Sequence, residues 1–185
     1  MCTFRSRPTT MARMVFATSA LSAASLSHAG NPCLPLDLPP GSSFDFGGAS
    51  SSFAIYSVEL GNTGGPDPDY FDFMFYDGGV SEVGTFDLSI GDDANYATCK
   101  RCLSICLDVD QVSLECSKWI FQTEGMLTLN ASPEEGVLDY SVQNLHLVES
   151  TIDPDTFVST PVPDGVCYST NASAVPEIFV NGFEP

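Results

Sequence analysis

Beyond its first thirty residues the chain holds six cysteines, one histidine and 24 carboxylates, and these are the side chains that could do chemistry. Four of the cysteines cluster as Cys99-x2-Cys102-x3-Cys106-x9-Cys116, with Cys33 and Cys167 on either side. Three chemistries suit such a cluster. A structural zinc site uses CxxC as a half-site, but three ligands within eight residues sit awkwardly on a strand. A redox-active CxxC normally opens a helix in a βαβ unit, and no such context surrounds Cys99. Disulfides fit best once export is considered. Among the carboxylates, Asp67-x-Asp69-x-x-Asp72 lies in a Gly/Pro-rich loop entering a strand and is the candidate Ca²⁺ ligand set. Asp92-Asp93, Asp108-x-Asp110, Glu134-Glu135 and Asp153-x-Asp155 are similarly close, yet Asp is also a standard turn residue, and a solvated acidic surface is favoured over a metal site for all these clusters. No EF-hand loop or nonapeptide repeat is present.

Catalytic devices are harder to assemble. A nucleophile needs a positioned base, and His146 alternates with Leu145 and Leu147 as an outward-facing strand residue would. There is no G-x-S-x-G, H-E-x-x-H, P-loop or dinucleotide fingerprint. A carboxylate pair could serve a glycosidase, but 24 acids nominate no particular two, so no catalytic residue is assigned. Aromatics offer a binding surface instead. Phe71, Phe73 and Phe75 share one strand face and read as core. Tyr70 and Tyr76 share the other and, with Trp119, are the candidate ligand-binding residues.

The N-terminus sets the compartment. Arg5, Arg7 and Arg13 precede an apolar stretch from Met14 to Leu26, and Ser27-His28-Ala29 has the small residues of a leader-cleavage site. Residues 1–29 are expected to be a secretory signal peptide. The stretch is too short for a permanent bilayer span, and no transmembrane segment is expected in the 156-residue remainder. Removal of the leader turns seven cysteines into an even six and leaves three basic residues against 24 acidic ones, a formal charge of −21. So acidic a chain is repelled by nucleic acid and by anionic membranes. Work in a salty medium, which screens such repulsion, also accounts for the excess acid.

The elements that must position these residues are strands. Residues 30–52 read as a Pro/Gly/Ser-rich N-terminal arm pinned by Phe44 and Phe46, residues 53–170 as the folded domain, and 171–185 as a C-terminal tail. Period-2 alternation is clearest at Cys102–Val109, where Leu103, Ile105, Leu107 and Val109 share a face. Strands are also expected at 53–60, 70–76, 83–90, 112–123, 126–131, 137–142, 145–150, 156–160 and 166–168. Their spacing predicts an all-β fold, an antiparallel two-sheet sandwich, with a jelly roll or partly closed barrel as the alternative. Cys106 and Cys116 are symmetric about Gln111. A hairpin turning there sets them opposite, with Cα atoms about 4.5 Å apart, close enough for a disulfide. Cys99–Cys102 and Cys33–Cys167 would complete the set, one of fifteen connectivities for six cysteines.

Two stretches resemble known exported proteins. The tail Ile178-Phe179-Val180-Asn181-Gly182-Phe183-Glu184 resembles the I-F-x-D/N-G-F-E ending of many secreted gammaproteobacterial proteins. Asn95-Tyr96-Ala97-Thr98-Cys99-x-x-Cys102, with Thr151-Ile152-Asp153-Pro154-Asp155-Thr156-Phe157 and Pro161-Val162-Pro163-Asp164-Gly165-Val166-Cys167, is similar to exported proteins of myxobacteria and related Gram-negative bacteria. The resemblance implies export to a periplasmic, surface or extracellular location, and a sorting role for the tail. It brings no activity with it. The expectation is therefore a secreted, non-enzymatic structural or adhesive domain whose partner is a surface polymer or a protein. A Ca²⁺- or carbohydrate-binding module is the alternative, followed by a carboxylate-based hydrolase.

Overall fold

A computed structural model describes residues 32–61 and 65–170. The expected signal peptide and the tail lie outside these residues. The chain forms β1 (Leu34–Pro35), β2 (Asp45–Ser50), β3 (Phe53–Gly61), β4 (Asp69–Tyr76), β5 (Gly84–Asp87), β6 (Arg101–Val109), β7 (Cys116–Leu129), β8 (Tyr140–Ile152), β9 (Ser159–Pro161) and β10 (Cys167–Thr170). Short 3-10 turns occur at Gly41–Ser43, Asp77–Val80, Gly91–Ala94 and Pro133–Glu135, and no α-helix is present among the described residues. All ten strands join one open sheet in the order β1-β10-β8-β7-β6-β4-β3-β2, with β5 on β7 and β9 on β8. Every pairing is antiparallel except β1 with β10. The all-β, largely antiparallel expectation holds, but one sheet replaces two separate ones.

The single sheet arises because four expected strands fuse into two. Gly125 and Asn144, which fall in the gaps between the expected strands, instead lie together inside the β7–β8 ladder. Both have positive φ, 138° and 50°, and the ladder shifts register on each side of Glu124. Paired irregularities of this kind bend a strand without ending it. Gly125 is required there, because a Cβ at this position would lie 2.9 Å from the Leu145 Cα. The first half of β7 (116–121) pairs with β6, and its last four residues pair with β5. The bend carries the far half of the β7–β8 hairpin over the rest of the sheet. Phe73 of β4 and Tyr140 of β8 have ring centroids 4.6 Å apart, although β6 and β7 separate their strands in the sheet.

The core lies within that fold. Phe44, Tyr56, Phe71, Phe73, Phe75, Ile105, Ile120, Leu127 and Tyr140 are buried together. Each such side chain removed from water contributes roughly 1.5–3 kcal/mol. The two buried phenols keep partners: Tyr56 donates to the Pro133 carbonyl at 2.5 Å and Tyr140 to the Pro39 carbonyl at 2.8 Å. The N-terminal arm is more ordered than its composition predicts. Its residues 45–50 are an edge strand on β3, Phe44 is buried against Phe71, Phe73 and Tyr140, and the half-exposed Phe46 packs on Tyr56. The sequence Asp-Phe-Gly-Gly-Ala-Ser has little intrinsic β preference, so pairing with β3 decides its conformation.

Three disulfides brace the sheet: Cys33–Cys167, Cys99–Cys102 and Cys106–Cys116. The hairpin reasoning for the last pair needs correction. Cys106 faces Trp119 in the ladder and Cys116 faces Val109, so the two are not ladder partners. The turn is longer than expected. Asp110 accepts from Leu114 through its carbonyl and donates to the Glu115 carbonyl, while Asp108 adopts φ of 48° and kinks the end of β6. That kink brings the Cys106 and Cys116 Cα atoms to 5.2 Å.

Candidate ligand-binding face

β6 is buried on both sides, so the sheet has a second covered face opposite the core. Antiparallel register builds that face in rows. One row is Ser57–Asp72–Ser104–Phe121 and the next is Glu59–Tyr70–Cys106–Trp119–Ser150. Residues 91–100 lie across it. Tyr96 packs on Trp119 at 5.8 Å and edge-on to Phe121 at 5.7 Å, within a small cluster that includes Met74, Cys99 and Cys102.

This covering segment is tied down firmly. Asp93 is buried, and its carboxylate accepts the backbone N–H of Lys100 and Arg101 and the Nε of Arg101 at 2.8–3.0 Å. The Arg101 guanidinium also pairs with Glu82 and lies 3.9 Å from the centre of the Phe86 ring. Gln122 donates to the Asp93 and Arg101 carbonyls. Asn95 exchanges two hydrogen bonds with the Ser159 backbone, and the Ser159 hydroxyl accepts from Tyr96 N–H. Buried charges persist only with such compensation. Arg101 therefore has a structural task and does not reach a ligand.

A cleft of about 510 Å³ opens beside the segment. Tyr76, Asp77, Asp92, Tyr96, Thr98, Lys100 and Phe157 are among the residues that line it. Tyr76 is placed by its N–H bond to the Lys100 carbonyl, at 2.8 Å. Phe157 also lines the cleft and is 57% exposed. The Asp153 carboxylate gathers the N–H groups of Asp155 and Thr156 and the Thr156 hydroxyl, and its carbonyl accepts from Phe157 N–H at 2.8 Å. This turn holds Phe157 at φ of 59°, a left-handed conformation rare for a bulky side chain. Such strain costs of order 1–3 kcal/mol and clusters at functional sites.

The electrostatics are negative throughout. Burial pushes the Asp72 carboxyl above its usual range, opposed by the Ser57 hydroxyl that donates to it at 2.5 Å. The Ser104 hydroxyl, opposite Asp72 in register, is buried with no hydrogen-bond partner among the described residues. Tyr76 is pushed up to about 12, chiefly by burial, then by Tyr96 and by the charge of Asp72. Tyr96 shifts upward for the same leading reason. Both phenols are thus protonated at neutral pH.

The structure distributes the sequence candidates unevenly. Tyr76 lines the cleft, while Tyr70 and Trp119 are half-buried on either side of Cys106 in one row. Asp69 and Asp72 turn to opposite sides of β4; Asp69 is buried and accepts Asp108 N–H at 2.7 Å. Asp67 is half-buried ahead of β4. Among the described residues no group of three or more His, Cys, Asp or Glu is placed to hold a metal ion. His146 faces Glu124 in the β7–β8 ladder, away from the cleft lining. Tyr96 and Phe157 are not among the ligand residues the sequence nominates: Tyr96 lies ahead of the alternating β6 segment, and Phe157 falls in the strand expected at 156–160, whereas the structure places it in the Asp153 turn ahead of β9. Their only signal was their place beside Cys99 and Asp153.

No protein-family model matches this chain, and no curated protein or solved structure is significantly similar to it. The three disulfides suggest an oxidising, extracytoplasmic location. No helix among the described residues is long and apolar enough to cross a membrane.

Proposed function

We propose that this protein is a secreted, non-enzymatic adhesive domain that engages a surface polymer or protein partner through the Tyr76–Tyr96–Phe157 cleft. The observation that carries this reading is Phe157, an exposed aromatic that lines the cleft from a strained backbone conformation. A solvent-facing ring at the rim of a concave site is what ligand contact requires, and folding alone favours its burial. The predicted leader, the even cysteine count and the resemblance to exported bacterial proteins support secretion. The bent sheet acts as a sandwich-like scaffold, and the disulfide-braced segment at 91–100 supplies a rigid wall.

The test is retention of the purified exported protein on cell-envelope and extracellular-matrix fractions, comparing wild type with Phe157→Ala. Phe157 is exposed, so the variant should fold normally and lose about three- to tenfold in retention, the effect of one aromatic contact of about 1 kcal/mol. Equal retention would remove the cleft from the function. N-terminal sequencing of the exported chain should begin at Gly30. A chain still carrying residues 1–29 would contradict secretion through that leader.

A further inference from the structure

We infer that the ligand of this cleft is a basic peptide segment, whose lysine or arginine side chain is held by Asp77 and the Tyr76, Tyr96 and Phe157 rings. The inference rests on the cleft being the binding site. Acceptors and negative charge outweigh free donors in the lining. Asp77 and Asp92 are both solvent-exposed carboxylates there. The Asp77 carboxylate has no hydrogen-bond or ion-pair partner among the described residues, and only its backbone is engaged, through N–H to the Ser52 carbonyl. The Thr98 and Lys100 donors of the lining are already in use. Thr98 donates its hydroxyl to the Asp92 carbonyl at 2.7 Å, and the Lys100 ammonium lies 3.3 Å from the Asp92 carboxylate. A neutral hydroxyl-rich ligand needs donors and acceptors together. This lining offers mainly acceptors, which suits a donor-rich cation.

The rings add to the same preference. A cation within about 6 Å of a Tyr or Phe face is attracted by the ring quadrupole. Asp72 shares a face of β4 with Tyr76, and its negative charge helps raise both phenols. Lys100 shows within the molecule that an ammonium is accommodated here. All three basic side chains among the described residues, Lys100, Arg101 and Lys118, are ion-paired, so the remaining surface charge is almost wholly acidic. A field of that sign steers cations toward the cleft. A peptide is favoured over an amino-sugar polymer because exposed Phe157 and Ala97 provide apolar surface for the methylene stem of lysine or arginine. An amino sugar has no such stem.

The lone Trp119, 5.8 Å from Tyr96, gives the readout. The full exported protein is titrated with octalysine, with octalysine acetylated on every side chain, and with a chitosan hexamer, following tryptophan fluorescence and calorimetric heat. Octalysine should bind and the acetylated peptide should not. Asp77→Asn, which keeps a residue tolerant of the φ of 46°, and Phe157→Ala should each weaken binding about three- to tenfold. Glu115→Gln, an equal charge change on the exposed 110–115 turn, should change it less than twofold. If the acetylated peptide binds as well as octalysine, a cationic ligand is refuted while the cleft reading stands. If Glu115→Gln weakens binding as much as Asp77→Asn, the attraction is general surface charge and the inference fails. Preference for chitosan over octalysine refutes the peptide. If Phe157→Ala also leaves envelope retention unchanged, the cleft reading itself falls.

Discussion

Cys33–Cys167 should be worth more to stability than the other two disulfides, and the difference can be worked from chain connectivity. The bridge closes a loop with a sequence separation of 134, against 10 for Cys106–Cys116 and 3 for Cys99–Cys102. In the chain-entropy account, a closed loop of that size restricts the unfolded chain by about 5 kcal/mol, a ten-residue loop by about 3 and the shortest by about 2. The two inner bridges lie within the large loop and shorten it by only about a tenth, which barely alters the logarithmic term. Native contacts should change little, because β1 is two residues long and remains free to pair with β10. Urea denaturation of Cys33→Ala/Cys167→Ala and Cys106→Ala/Cys116→Ala variants would measure both. The first should lose about 5 kcal/mol and the second about 3, with the native circular dichroism unchanged. If the second pair costs as much as the first, loop entropy is not what the long bridge supplies, and the reasoning is refuted.

The bend in β7 should depend on Gly125. Gly125→Ala meets both a φ of 138° and a Cβ 2.9 Å from Leu145 Cα, and should lose about 2–4 kcal/mol in the same assay, whereas Asn144→Gly, at φ of 50°, should be near neutral. Asp72 should show in the pH dependence of stability. Its folded pKa is raised, so the folded state holds its proton more tightly and stability falls as pH rises from the ordinary carboxylate range through the folded value. Asp72→Asn should therefore raise the melting temperature at pH 7 and remove that slope. Asp110 and Asp153 are shifted downward by hydrogen bonds from backbone N–H groups, so their contribution is lost in the opposite direction, as pH falls through their folded values.

The legible parts of this fold were those where one face is buried and the other is not. β4 and β6 stand within a residue of the alternating segments that announce them, because inward Phe71, Phe73, Leu103 and Ile105 leave a period of two in the sequence. Gly125 and Asn144 misled because a residue with positive φ serves a turn and a bulge equally, and only the facing strand distinguishes them. Cys106 and Cys116 were recognisable as neighbours, but the kink at Asp108 that brings them together leaves no local sequence signature. The cleft was half visible. Tyr76 stood out through strand alternation. Tyr96 owes its position to the local Asp93 and Cys99–Cys102 contacts and to Asn95, whose bond to Ser159 joins distant segments. Asp153 was legible as a turn residue, while the ring its turn holds exposed was not.

The Cys33–Cys167 bridge also decides what a protease can do to this molecule. Val112, 95% exposed at the tip of the 110–115 turn, is an open target. A cut there leaves the two sides joined by Cys106–Cys116 and again by Cys33–Cys167. Any single cut between Cys33 and Cys167 opens a ring without dividing it. The nicked protein gains one water and two new chain ends but loses no piece, and the two sides separate only once a reductant opens the bridges. In a protease-rich medium, that lets backbone damage accumulate before the molecule comes apart.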